Sequence, residues 1–216
     1  MRRSGRLTLS QKRGLTELWA DYSIESKRVI NFETIFGNDN PVVLEIGFGN
    51  GDTLVQMAQE NPQLNYVGIE VYEAGIGRLI SGAHSKGLTN LKVLKGDAVA
   101  FLTDNIADNS LSKVQLFFPD PWHKKKHHKR RIVQQSFLDL LSVKLRNGAK
   151  FHLATDWAHY AEQMMEMLEE NKHFKNTQPA HIYTPRPDFR PLSKFEKRGH
   201  RLGHGVWDLI FINEKS

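Results

Sequence analysis

An α/β fold, with a parallel sheet covered by helices on both faces, is what this sequence predicts, and three observations predict it. From Pro41 onward short apolar runs alternate with longer amphipathic stretches, as strands and helices do when they follow one another in turn. A glycine-rich turn, Glu45-Ile46-Gly47-Phe48-Gly49-Asn50-Gly51, follows the first apolar run and opens a helical stretch. The 216 residues suffice for one sizeable domain and no Pro/Gly/Ser-rich linker divides them. Residues 41–216 are therefore expected as a single domain behind an N-terminal segment, 1–40.

Taken in order, the opening M-R-R-S-G-R-L-T-L-S-Q-K-R-G is basic and lacks the apolar core of a secretory signal. It is expected as a mobile arm before a lead-in helix. V-V-L-E-I is the first strand, Thr53 to Gln59 a helix, N-Y-V-G-I-E the second strand, and a helical span runs on to Lys86. Strands follow at L-K-V-L and V-Q-L-F-F, then a helix from about Ile132 to Leu145, the strand A-K-F-H-L-A-T, a helix from about Trp157 to Glu170 and the strand V-W-D-L-I-F-I. Met164, Met165, Met167 and Leu168 sit on that last helix at core-packing spacings. Between Pro179 and Gly205 the chain is irregular and rich in Pro, Gly, Arg and aromatics; a long loop of this kind inside a compact domain is usually functional.

Thirty Lys and Arg stand against 24 Asp and Glu, a net charge of +6, and one short run supplies six of the cations: Lys124, Lys125, Lys126, Lys129, Arg130 and Arg131. Clustering of this kind favours a polyanionic partner such as nucleic acid, because neutralising adjacent phosphates releases counterions. A membrane surface is disfavoured, since no amphipathic stretch flanks the run to insert, and nothing approaches membrane-spanning length. The chain has no cysteine, hence no disulfide framework or thiolate metal site, and a cytoplasmic location is expected.

Acidic residues close the apolar runs. Glu45 lies in the first strand, Glu70 ends the second, Asp97 follows the third, and Asp120 follows the fourth between Pro119 and Pro121. Sheets of this kind bind ligands at the C-terminal ends of their strands. A dinucleotide site would want G-x-G-x-x-G at the helix mouth; here the third glycine comes one residue early and Asp52 follows, a carboxylate that would repel phosphate. Four carboxylates suit a ligand with hydroxyls, an amine and a cationic centre, and S-adenosylmethionine is such a ligand. Glu70 follows Gly51 at the roughly twenty-residue spacing at which a second-strand acid meets a ribose. Each proline is expected to push the residue before it, Phe118 and Asp120, towards extended backbone. Trp122 and Trp157 are expected in the core rather than stacked on a base. Five of the ten histidines, His123, His127, His128, His200 and His204, include two i, i+4 pairs but lack a metal-site context, and no metal is expected.

With the glycine turn, Glu70, Asp97, P-D-P-W at Pro119 to Trp122, K-R-R at Lys129 to Arg131, A-T-D-W at Ala154 to Trp157 and S-K-F-E-x-R-G at Ser193 to Gly199 in order, the chain closely resembles the bacterial tRNA (guanine-N7)-methyltransferases. The likeness runs from about Pro41 to Phe211. It implies a Rossmann-like class I methyltransferase fold, a seven-stranded, mostly parallel sheet with an antiparallel last strand, and methylation of guanine at position 46 of the tRNA variable loop. Carried over residue by residue, Glu45, Gly47, Gly49, Gly51, Glu70, Asp97 and Asp120 would bind S-adenosylmethionine, Asp120 also being the catalytic residue. Lys124, Asp156, Ser193, Lys194, Phe195 and Glu196 would contact the substrate, and Lys126, His127, His128, Lys129, Arg130 and Arg131 would meet the RNA. Guanine presents N1–H and an exocyclic amine side by side, a donor pair that Glu196 or Asp156 could accept.

Rival readings are a methyltransferase acting on an exocyclic amine of another nucleic acid or protein, a non-catalytic RNA-binding protein on this fold, and an NAD-dependent oxidoreductase, which Asp52 and the glycine spacing disfavour. A monomer is expected, with a homodimer as the alternative.

Overall fold

The computed structural model describes residues 6–25, 28–192, 196 and 205–215. They group into two compact units, Met1–Asn105 and Ile106–Ser216. The first holds α1 (Leu9–Leu15), α2 (Trp19–Tyr22), α3 (Phe32–Phe36), β1 (Val42–Ile46), α4 (Asp52–Glu60), β2 (Asn65–Glu70), α5 (Glu73–Ser85), β3 (Leu91–Lys95) and α6 (Ala98–Asp104). The second holds β4 (Leu111–Phe117), a 3-10 helix (Lys125–Arg130), α7 (Gln135–Lys144), β5 (Leu145–Thr155), α8 (Ala158–Glu170), β6 (Phe174–Asn176) and β7 (Trp207–Asn213). The strands are ordered β3-β2-β1-β4-β5-β7-β6.

In the first unit β1, β2 and β3 pair in parallel, with Glu45 opposite Gly68 and Glu70 opposite Lys95. Every residue of β1 and β2 is buried, as strands covered on both faces must be. In the second unit β4 and β5 are parallel, while β7 runs antiparallel to both β5 and β6, so the last strand is reversed as the resemblance implies. Three-residue β6 and short α6 are absent from the sequence reading because neither spans enough chain to show a period. Met164, Met165 and Leu168 of α8 are buried.

From Thr8 to Gly14, within the stretch expected as a mobile arm, the chain is instead packed structure that continues to Ile24. Thr8 and Gln11 form a reciprocal capping box that starts α1, and Leu18, Tyr22 and Ile24 are buried. The Ile24 amide donates to the Val93 carbonyl at 2.8 Å, so this segment adds a bridge to the edge of β3. Helix α1 crosses α5 where both backbones are bare. A Cβ on Gly14 would lie 2.3 Å from the Gly77 oxygen, and one on Gly77 would lie 2.3 Å from the Gln11 oxygen. The Ser81 hydroxyl donates to the Ser10 carbonyl across the same crossing at 2.6 Å.

Gly77→Ala should therefore unseat α1. Overpacking costs roughly 1–3 kcal/mol, which lowers Tm by about 2–4 °C for each kcal/mol in a chain of this size. Gly82, on the same helix, is the control: its added Cβ would lie 3.5 Å from Val55, an ordinary contact. Gly82→Ala should leave Tm unchanged or raise it, since Ala favours a helix over Gly by about 1 kcal/mol; equal Tm losses in the two variants would refute the crossing.

Candidate active site

In the first unit the loop after β1 turns on Gly47, Gly49 and Gly51, at φ 72°, 58° and 73°, a region costly for any residue with a Cβ. The Gly47 amide donates to the Ile69 carbonyl at 2.8 Å. Phe48 lies over Gly68 of β2, where a Cβ would come within 2.5 Å of its ring, and a Cβ on Gly75 of α5 would come within 1.9 Å of the Gly49 oxygen. Glu70 ties this loop to the end of β2: Oε2 accepts from Gly49 N at 2.9 Å, and Oε1 from Val71 N at 2.7 Å and Tyr72 N at 3.0 Å. A carboxylate has about four acceptor positions, so about one remains, on Oε2. Asp97 caps α6 through Ala100 N at 2.9 Å.

Glu45 is 2% exposed. Burial, with the Glu45 and Glu60 charges adding, pushes the Tyr66 hydroxyl up to about 12. Asp52 forms a two-pronged pair with Arg78, at 2.7 and 2.9 Å. Val71, Tyr72 and Val99, which strand and helix periods do not single out, are exposed apolar residues next to or just beyond Glu70 and Asp97. The readable signal was an apolar side chain directly after a strand-end acid.

In the second unit β4 leads into Pro119-Asp120-Pro121. Phe118 and Trp122, on either side, have φ of 52° and 45°, so the expected extended geometry of Phe118 is wrong. Bulky residues there are genuine outliers, costing roughly 1–3 kcal/mol each, and persist only where surrounding contacts hold them. Two such contacts are visible: Phe118 N donates to the Ala154 carbonyl at 2.7 Å, and Arg131 Nε to the Pro121 carbonyl at 2.9 Å. Asp120 itself is exposed.

Arg131, expected to meet RNA, is instead 2% exposed. Its guanidinium bonds Gln163, approaches His159 Nδ1 at 3.4 Å and lies 4.6 Å from the Tyr160 ring centre. Its neighbours behave otherwise. Lys124, Lys125, Lys126, Lys129 and Arg130 are exposed, with His127 and His128 half-buried. Arg130 covers the Trp122 ring at 5.0 Å and His127 meets it edge-on at 6.0 Å. Trp157 is not a core residue but 39% exposed, edge-on to His123 at 4.3 Å. With His123, Lys125, His128 and His159 it lines a cavity of about 420 Å³.

Asp156 follows β5 and is exposed. Ser193, Lys194 and Phe195 lie outside the described residues. Glu196 is described, and it is 2% exposed with both oxygens on Arg190, at 2.8 and 2.6 Å. Arg190 in turn grips Asp208 through two bonds of 2.8 Å, and Asp208 accepts from His152 Nε2 at 2.8 Å. The signal for this chain of contacts was a charged residue within an apolar strand, Asp208 in V-W-D-L-I-F-I and His152 in F-H-L, because a buried charge needs a partner.

A seven-stranded sheet with a reversed last strand, and an acid-lined glycine turn after its first strand, define a Rossmann-like methyltransferase. A family model described as "Putative methyltransferase" matches residues 39–209. Among solved structures, the 16S rRNA methyltransferase KamB is similar with a TM-score of 0.60 at 16% identity, over 99% of this chain and 97% of that one. A SAM-dependent methyltransferase from Aquifex aeolicus gives 0.55 at 12% identity, over 94% and 89%; at such identities the likeness speaks for the fold. The chain is 54% identical to the tRNA (guanine-N(7)-)-methyltransferase of Pasteurella multocida, over 98% of this chain and 84% of that protein. It is 52% identical to that of Pseudoalteromonas translucida, over 100% and 90%. The chain belongs to the tRNA (guanine-N7)-methyltransferase family.

The buried pair predicts a pH dependence. Burial lowers the His152 pKa from 6.5, with Lys113 and Arg190 adding to the effect and the Asp208 hydrogen bond opposing it. Burial alone would raise Asp208, but its bonds to His152 and Arg190 outweigh that and hold it low. A histidine with a depressed folded pKa stays neutral while the unfolded chain protonates, so stability falls as pH drops through 6.5 towards the folded value. Thermal melts from about pH 7.5 to about pH 5.5 should show this fall, and His152→Gln should flatten the slope while lowering Tm at the upper pH. An unaltered slope in the variant would remove His152 as its source.

Proposed function

We propose that this chain transfers the methyl group of S-adenosylmethionine to N7 of the guanine at position 46 of tRNA, leaving S-adenosylhomocysteine. The observation that carries the reading is Asp120, an exposed carboxylate bracketed by two residues in left-handed backbone and followed directly by a run of exposed cations. Strain of this kind concentrates at functional sites. The relatives' names supply the substrate.

The residues present fit the cofactor. Added Cβ atoms on Gly47 and Gly49 would meet nothing within 4 Å, so the turn leaves room for a ligand against its backbone. Glu70 keeps about one acceptor position for a ribose hydroxyl, Asp97 suits the adenine amine, and Val71 and Val99 offer apolar surface. Glu45 adds a further acid for a cationic donor, and the family resemblance assigns Asp120 to the same ligand. When bound, S-adenosylmethionine supplies an electrophilic methyl group on positively charged sulfur.

Guanine N7 carries a free lone pair, so no residue need remove a proton. The chain's task is alignment, which supplies most of the acceleration, and Asp120 stabilises the positive charge that develops on the ring. Asp156 accepts the guanine N1–H and amine. Lys124, Ser193, Lys194 and Phe195 hold the substrate, with Glu196 at the end of that stretch, while Lys126, His127, His128, Lys129 and Arg130 contact phosphates. The methyltransferase domain is 41–216, and the protein acts in the cytoplasm as a monomer.

Labelled methyl should pass from S-adenosylmethionine to unmodified tRNA and not to a transcript lacking the variable-loop guanine. In the same assay Asp120→Ala should abolish transfer while leaving tRNA affinity nearly unchanged; equal loss of both would make the residue structural. Replacing Lys124, Lys125 and Lys126 by Ala should weaken tRNA binding and flatten its salt dependence, by a slope of about 0.7–0.9 for each phosphate no longer neutralised. An unaltered salt slope would take the run out of the interface.

A further inference from the structure

We infer that Arg190 is a positioning residue for the guanine, and that Glu196 acts through it rather than by meeting the base. The inference rests on the methyltransferase reading above. Arg190 is 2% exposed, as are Glu196 and Asp208, and its guanidinium makes four hydrogen bonds of 2.6–2.8 Å to those two carboxylates. A planar fork held on two edges has no rotational freedom left. It therefore fixes the chain at Glu196, the last residue of S-K-F-E, against Asp208 in β7.

The same guanidinium lies 5.8 Å from the ring centres of both Phe117 and Phe118. Phe118 is the left-handed residue from which Pro119-Asp120-Pro121 departs. One cation thus braces the end of the substrate-contacting stretch and the base of the Asp120 loop together. His152, Nε2 on Asp208 and edge-on to Phe117 at 4.8 Å, backs the arrangement from β5. Glu196 is 2% exposed with both oxygens turned to the equally buried Arg190, so a guanine edge could reach it only by opening this desolvated cluster and weakening the hold on the guanidinium, a costly state. Asp156, exposed at the end of β5, can accept that edge without breaking anything.

The test is methyl transfer by the full chain to tRNA carrying either guanosine or inosine at the target position. Inosine keeps N7 and N1–H but lacks the exocyclic amine. Wild type should prefer guanosine, by about tenfold. Asp156→Asn should lose that preference. Glu196→Gln and Arg190→Gln should each keep it while losing about ten- to a hundredfold in kcat per cofactor-binding site, with KM for tRNA and affinity for S-adenosylmethionine within about twofold of wild type. The double variant should be no worse than the poorer single one. Simple unfolding would reduce the number of cofactor sites instead, and if Arg190→Gln does not fold, the guanosine-to-inosine ratio of Glu196→Gln decides alone. Loss of the preference in Glu196→Gln, or losses that multiply in the double variant, would overturn the inference. No transfer by wild type to guanosine tRNA would instead sink the functional reading on which it stands.

Discussion

The contact on which the Pro-Asp-Pro loop of the second unit depends is the hydrogen bond from the buried Arg131 guanidinium to the Pro121 carbonyl. Phe118 and Trp122 sit in backbone that bulky side chains avoid, so the Pro-Asp-Pro segment between them would relax if nothing held it. Arg131 holds it from α8, through Gln163, His159 and Tyr160. The basic run therefore divides along its length: its earlier cations stay in solvent, and its last one turns inward as an anchor. Arg130 and His127 stay beside Trp122, which couples the cationic surface to the loop that presents Asp120.

In the first unit the acids proposed to meet the cofactor are also scaffold. Glu70 closes the glycine turn by accepting three backbone N–H groups and yet retains capacity for one more donor. Asp97 likewise caps α6 while standing just after β3. Pre-engagement of this kind limits the freedom a side chain must give up when a ligand arrives, which is the general advantage of preorganisation. The glycines matter for the same reason: they leave backbone, rather than side chain, on the open side of the turn, the side proposed for the cofactor, while Phe48 packs on Gly68 and Gly75 packs against the Gly49 oxygen.

The Arg190 cluster illustrates what buried charge does well. A fully desolvated ion pair is weak evidence of stability, because desolvation offsets much of its attraction. Its geometric demands are strict, however, and here two carboxylates and one guanidinium share four short bonds. Those demands fix Glu196 against Asp208 of β7.

Much of the fold was legible in the sequence because its signals are local. Strand and helix alternate with clear periods from Val42 to Asn213, the glycines that permit φ near 60–70° announce themselves, and the strand-end acids can be counted. The motif order likewise led to the family. What the sequence could not settle was which charges remain in water. Arg131 and Glu196 read as surface residues in a basic run and a polar loop, yet both are 2% exposed. Proline statistics placed Phe118 in extended backbone, yet its contacts with Ala154 and Arg190 hold it elsewhere. Local periodicity fixes which elements form, since it depends on neighbours three or four residues away. The partner of a buried charge lies at whatever sequence distance the packing brings near, 18 residues for Arg190 with Asp208 and 56 for His152 with Asp208, and only the tertiary structure decides it.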